Sequence, residues 1–136
     1  MRYTIGASMW KKRKPDTVVE GIYGFGHYAI PYIHIPDKDA KLKDSVFPVF
    51  SNAADAEHFA RVLSRAYRCD DTYVHGRQSR SSYIRRFYPL KIDTKEFPYQ
   101  IKIDGNDAYI HRYLSNLPQE DQETKIPVTC FGMYRK

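Results

Sequence analysis

The sequence predicts an α+β fold: a single compact domain over residues 1–136, in which a mostly antiparallel sheet is packed by two or three helices. Three observations support this prediction. The chain of 136 residues has the usual size of one domain with one hydrophobic core. Short runs rich in β-branched and aromatic residues alternate with turn residues. One stretch repeats its apolar residues with the periodicity of a helix.

The expected strands are short and separated by proline, glycine or charged turns. A proline in the middle of the third strand places that strand at an edge or kinks it, because proline cannot donate to a ladder. We expect Gly24-Phe25-Gly26 to end the second strand. The predicted strands are 3–10, 17–23, 27–35, 46–50, 90–94, 99–103 and 126–134.

The clearest predicted element is a helix from Asn52 to Arg68. Asn52 and Asp55 stand at the N-cap and N3 positions, a carboxylate variant of the capping box. The apolar stripe consists of Ala56, Phe59, Ala60, Leu63 and Tyr67, and the opposite arc carries Glu57, His58, Arg61, Ser64, Arg65 and Arg68.

Two further helices are expected after a loop over 68–78. The first is short, capped by Ser79 or Ser81 and ended at Tyr88 by the following proline. The second begins at Asn106 and places apolar residues on one face up to Leu117. An alternative after Asp104-Gly105 is a tight hairpin that makes 108–114 a strand.

Positive charge is concentrated in one part of the chain. The 22 Lys and Arg residues and 16 Asp and Glu residues give a net charge of +6. Residues 61–91 alone carry this whole excess, mostly as arginine, whose planar fork suits phosphate and carboxylate groups. The sequence therefore predicts a site for a polyanion. Its expected cations are Arg61, Arg65, Arg68, Arg77, Arg80, Arg85 and Arg86, with a second cluster at Lys11, Lys12, Arg13 and Lys14.

Aromatic residues interleave with these arginines. The chain contains 12 Tyr, and Tyr73, Tyr83 and Tyr88 are the expected aromatic contacts of the binding site. Rings among arginines suit the stacking of bases in single-stranded nucleic acid, and they equally suit a protein interface. Our first hypothesis is a non-catalytic protein that binds DNA or RNA through the Arg-rich helix face and loop. The alternative is a small protein that binds an acidic surface of another protein. It would then modulate or inhibit, for example, a nucleic-acid-processing enzyme, as phage- or plasmid-type accessory proteins do.

Enzymatic chemistry is the third hypothesis. A small nuclease would use histidine as general acid or base beside arginine, and His58 and His75 are the candidates. The five histidines lack metal-ligand spacing, and no glycine-rich phosphate loop is present, so we expect no metal and no small-molecule cofactor.

Composition excludes several classes of protein. Apolar residues make up 42% and charged residues 28%, which is unlike a collagen repeat or a disulfide-dense scaffold. No apolar run approaches the roughly 18 residues of a membrane-spanning helix, so we expect no membrane partner. Cys69 and Cys130 match no zinc or redox motif, and the first residues differ from a secretory signal. We therefore expect a cytoplasmic protein, and the sequence leaves open whether the two cysteines pair.

Overall fold

The computed structural model describes residues 1–11, 14–25, 31–35, 46–67, 73–74, 77–78, 84–97, 99–103 and 129–135. This part of the chain forms nine strands and one helix. In chain order they are β1 (Tyr3–Lys11), β2 (Lys14–Phe25), β3 (Pro31–His34), β4 (Val46–Val49), α1 (Ala53–Ala66), β5 (Tyr73–Val74), β6 (Arg77–Gln78), β7 (Ile84–Lys91), β8 (Tyr99–Ile103) and β9 (Thr129–Arg135).

Seven of these strands form one sheet in which every pairing is antiparallel. The strand order is β7-β1-β2-β4-β9-β8. The seventh strand, β3, also pairs with β2 but is not part of this linear order. Two backbone hydrogen bonds between Tyr3 and Phe50, 2.8 and 2.9 Å long, join the start of β1 to the residue that directly follows β4. The mostly antiparallel α+β architecture is thus confirmed for the described residues.

The helix α1 follows the local signals in the sequence. The Asn52 side chain accepts a hydrogen bond of 2.9 Å from the Asp55 backbone N–H, as an N-cap residue does. The Asp55 carboxylate in turn accepts from the Asn52 side-chain amide at 2.9 Å. The helix begins at Ala53, directly after its N-cap Asn52, so the predicted start is confirmed. It ends at Ala66 with Tyr67 as its C-cap, and Arg68 lies outside the described residues.

The core lies between α1 and one side of the sheet. The predicted stripe from Ala56 to Leu63 is buried against this side, together with Val62, which the pattern did not include. From the sheet, Ile5 and Ala7 of β1 and Phe87 of β7 pack against it. A smaller apolar cluster, Ile22, Phe47, Val49, Ile92 and Phe97, lies on the other side of the sheet.

The expected second helix is wrong at its C-terminal end, since Ile84 to Tyr88 belong to the strand β7. Residues 79–83, its predicted start, lie outside the described residues. Two consecutive residues of β1, Ser8 and Met9, pair with Arg86 and Ile84 of β7. Arg85, between these two partners, is therefore the extra residue of a β-bulge. The bulge places Ile84 and Phe87 on the buried side at a spacing of three, which imitates a helical pattern.

Proline at position 89 is compatible with β7 because this strand stands at the edge of the sheet among the described residues. It pairs with Ile5 and does not terminate the element, contrary to the expectation that it would end a helix.

Other expectations have mixed outcomes. The strand β2 continues through Gly24 to Phe25, so those residues do not break it. Of the predicted strand at 90–94, only Leu90 and Lys91 lie in a strand, as the end of β7, and residues 92–94 do not. The expected loop over 68–78 contains the two short paired strands β5 and β6.

The expected number of two or three helices is not confirmed, and the helix or hairpin predicted after Asp104 lies outside the described residues. The single domain over 1–136 stays a prediction. No helix among the described residues is long and apolar enough to cross a membrane.

Candidate functional site

The side of β7, β1 and β2 that is turned away from α1 carries the candidate site, and we call it the sheet face. Directly paired residues of antiparallel strands project to the same side. Ala7 and Phe87 pair and pack toward the helix, so the adjacent pairs Ser8–Arg86 and Gly6–Tyr88 project to the sheet face. On β2, Glu20 pairs with Ser8 and projects to the same side.

Two arginine side chains lie over aromatic rings on this sheet face. The Arg85 Cζ atom is 5.6 Å from the centre of the Trp10 ring, and the Arg86 Cζ atom is 5.1 Å from the centre of the Tyr88 ring. At exposed sites such cation–π contacts contribute about 0.5–1 kcal/mol each. Both arginines are exposed, and neither forms a salt bridge with a carboxylate of the described residues. Their guanidinium groups are therefore oriented by rings and remain available to an anion.

The β-bulge explains how two consecutive arginines reach the same side. In a regular strand, neighbouring side chains project to opposite sides of the sheet. Arg85 is the unpaired residue of the bulge, so both it and Arg86 project away from the core.

Tyr88 connects three strands of the sheet face. Its ring lies directly over Gly6 of β1, where an added Cβ would come within 2.5 Å of the Tyr88 Cε2 atom. The hydroxyl group donates a hydrogen bond of 2.5 Å to the Glu20 carboxylate on β2. Burial raises the pKa of Tyr88 above its usual range, and the hydrogen bond to Glu20 and the charge of that carboxylate act in the same direction. Tyr88 therefore stays neutral at any ordinary pH and holds both its hydrogen bond and the arginine beside it.

The predicted helix arginines lie in the other layer of the molecule. Arg61 and Arg65 are exposed on the side of α1 that is turned away from the sheet. The Arg61 Nη2 atom is 3.0 Å from Glu57 Oε1 in the expected i,i+4 ion pair, where the two side chains are 72% and 57% exposed. Such a pair contributes about 0.3–0.5 kcal/mol. The structure therefore separates these arginines from Arg85 and Arg86.

Of the second predicted cluster, Lys11 and Lys14 are described, and they lie at the end of the β1–β2 pair. They are register partners there, and Lys11 directly follows Trp10, whose ring lies under Arg85. The backbone thus brings these two lysines to the same end of the sheet as Arg85.

The remaining predicted residues are less informative. Tyr73 lies in β5 and Arg77 in β6, and these two strands pair with each other. His58 is exposed on α1. The residues of the prediction that lie outside the described part of the chain are Lys12, Arg13, Arg68, His75, Arg80 and Tyr83. Within the described residues, no three His, Cys, Asp or Glu side chains are grouped as metal ligands.

Sequence reasoning missed Trp10 and Glu20 as members of the site. Period-two alternation along β1 places Trp10 on the same side as Gly6 and Ser8, and this was a usable signal. The contacts of Trp10 with Arg85 and of Glu20 with Tyr88 depend on strand pairing, which no local pattern gives.

No protein-family model, no curated protein and no solved structure matches the chain. Function is therefore inferred from the side chains of the sheet face.

Proposed function

We propose that this protein is a non-catalytic binding module that engages single-stranded DNA or RNA through the sheet face. The supporting observation is the pair of exposed guanidinium groups, Arg85 over Trp10 and Arg86 over Tyr88, with no carboxylate partner among the described residues.

Arginines held in this way suit a nucleic acid for two reasons. A guanidinium group forms paired, charge-assisted hydrogen bonds with phosphate oxygens, and its plane stacks on an unpaired base. Contact with a ring also restricts the side chain before binding, which reduces the conformational entropy lost on binding. An exposed sheet side with rings and cations is typical of single-strand binding, because an extended strand can lie across it.

We propose that the helix arginines, Arg61 and Arg65, make a second contact with the nucleic acid. Arg61 and Arg65 lie on the helix side of the core, so one strand that touches both sets must pass around an edge of the sheet. Arg61 is also already paired with Glu57, whereas Arg85 and Arg86 lack such a partner in the described part of the chain. We therefore expect the sheet face to contribute most of the affinity.

One observation favours the alternative of a protein partner. Val18 pairs with Trp10 on β2 and is 41% exposed, so an apolar residue borders the Arg85 site. Tryptophan, tyrosine and arginine are also the residues that dominate binding energy in protein interfaces. An acidic protein surface would satisfy the same arginines.

Binding of fluorescently labelled single strands at low salt tests the proposal. The double variant Arg85→Gln/Arg86→Gln removes the two stacked cations, and Arg61→Gln/Arg65→Gln is the matched control because it removes the same charge from α1. Because each removed arginine costs charge-assisted hydrogen bonds, we expect at least about a tenfold loss of affinity in the first variant and less than about threefold in the control.

Three other outcomes are informative. Equal losses in the two variants would show that only net charge matters and would refute a specific role of the sheet face. Absence of binding by the wild-type protein, together with capture of one stoichiometric protein partner, would support the alternative. Cleavage of the labelled strands during incubation would support the nuclease hypothesis instead.

A further inference from the structure

A cleft of about 260 Å³ opens on the sheet face beside Tyr88. Its base is apolar: Ile22 and Phe97 are 4% and 6% exposed, and Leu90 is half-buried next to them. Pockets for drug-sized ligands measure about 300–1,000 Å³, so this cleft matches a single flat heterocycle or a comparable group.

Acidic groups lie at the opening of the cleft. Glu20 and Glu96 line it and are exposed. Glu20 accepts the hydrogen bond from Tyr88, whereas Glu96 forms no salt bridge with any described residue. The opening therefore offers two carboxylates, which only accept hydrogen bonds.

We propose that this cleft receives one base of the bound strand and favours guanine. This inference rests on the proposed function, because it assumes that a nucleic acid lies on the sheet face. Tyr88 connects the two sites, since its ring contacts the Arg86 guanidinium while the same residue lines the cleft. A strand whose phosphate binds Arg86 therefore passes directly beside the opening.

Hydrogen-bond chemistry selects the base. Guanine carries donors at N1 and at its N2 amino group, side by side, and an acceptor at O6. A carboxylate accepts from both of these donors, which matches Glu96 in kind. Thymine and uracil place a carbonyl oxygen on each side of their only ring N–H, so they would bring lone pairs toward the carboxylates. The flat base would cover the apolar residues of the cleft, as bases do on aromatic and aliphatic surfaces.

The test compares three oligothymidine strands that differ only in one central nucleotide: thymine, guanine or inosine, which lacks the N2 amino group. Since one bidentate contact distinguishes between bases, we expect the guanine strand to bind about tenfold more tightly than the all-thymine strand. The inosine strand should fall between the two. All three affinities are measured at one salt concentration with the full chain.

A variant connects the preference to the cleft. Glu96→Ala should reduce the guanine preference to within about twofold and leave the all-thymine affinity equal or slightly higher, since one negative charge is lost. Glu57→Ala removes a carboxylate from α1, on the other side of the molecule, and should keep the preference.

The outcomes distinguish the two proposals. Equal binding of the three strands would overturn the base cleft and leave the single-strand surface in place. A guanine preference that survives Glu96→Ala would also overturn it. If the wild-type protein binds none of the strands, both the cleft and the proposed function are wrong.

Discussion

Gly6 and Tyr88 depend on each other at the centre of the sheet face. They are register partners on β1 and β7, and the tyrosine ring occupies the space where any larger residue would place its Cβ. The ring also reaches across β1 to the Glu20 carboxylate. A glycine is needed here because of this close approach and not because of an unusual backbone angle.

The substitution Gly6→Ala should therefore destabilise the protein by about 1–3 kcal/mol, because the added methyl group displaces a packed ring. The measurement is the free energy of unfolding in urea. In a background that carries Tyr88→Ala, the same substitution should cost much less, since the space over position 6 is then empty. Equal costs in the two backgrounds would contradict the proposed dependence.

Single residues also show where sequence reasoning reaches its limit. Arg85, Arg86 and Tyr88 could be named from the sequence, because arginine density and interleaved rings are visible in it. Period-two alternation also indicates the side of β1 on which Trp10 lies, but the contacts of Trp10 and Glu20 could not be named, since each joins the site through a partner more than sixty residues away in the chain. Such contacts follow from strand register, which depends on the packing of the whole sheet.

Among the elements, α1 and β7 show opposite outcomes for the same kind of reasoning. The helix was predictable because its cap and its apolar stripe are local features, and both are present in the structure. The strand β7 was mistaken for part of a helix, because the bulge at Arg85 buries residues 84 and 87 with a spacing of three. A period-three pattern over four residues is too short to separate a turn of helix from a bulged strand.

The cap of α1 yields a prediction for the element. Asn52→Ala removes the side-chain acceptor of the Asp55 N–H and should lower the free energy of unfolding by about 1 kcal/mol. Ser51→Ala is the matched control, because Ser51 is exposed and precedes the cap. Urea unfolding measures both variants. A loss as large in the Ser51 variant as in the Asn52 variant would show that the hydrogen bond contributes little.

The whole molecule distributes its described cations over two layers. Sequence reasoning found where the positive charge is concentrated along the chain, and it assumed that residues 61–91 would present it together. Instead, α1 carries Arg61 and Arg65 on one side of the core, and β7 carries Arg85 and Arg86 on the other. Convergence of charge is a property of tertiary structure, so charge density along a sequence does not predict which surface carries the charge.

The salt dependence of the binding constant measures how many cations of the molecule neutralise phosphates in the complex. For single strands, log K falls with log salt by about 0.7 for each phosphate that is neutralised. Arg85→Gln/Arg86→Gln should therefore reduce the magnitude of the slope by about 1.4, and Arg61→Gln/Arg65→Gln should change it by less than about half of that. A titration of binding against potassium chloride gives both slopes. If only the helix variant changes its slope, the strand binds on the other side of the molecule.

The extra residue in β7 has a genetic consequence. Deleting the single codon for Arg85 would restore regular alternation to the strand and would leave one arginine, Arg86, on the outer side, with Ile84 now adjacent to it in the ladder. Ile84 already pairs with Met9 on the buried side, and in the regular strand it would lie opposite Arg86, so it would keep its place in the core. A gene that varies in length at this point therefore changes the charge of the outer surface and leaves the alternation of the buried residues in place.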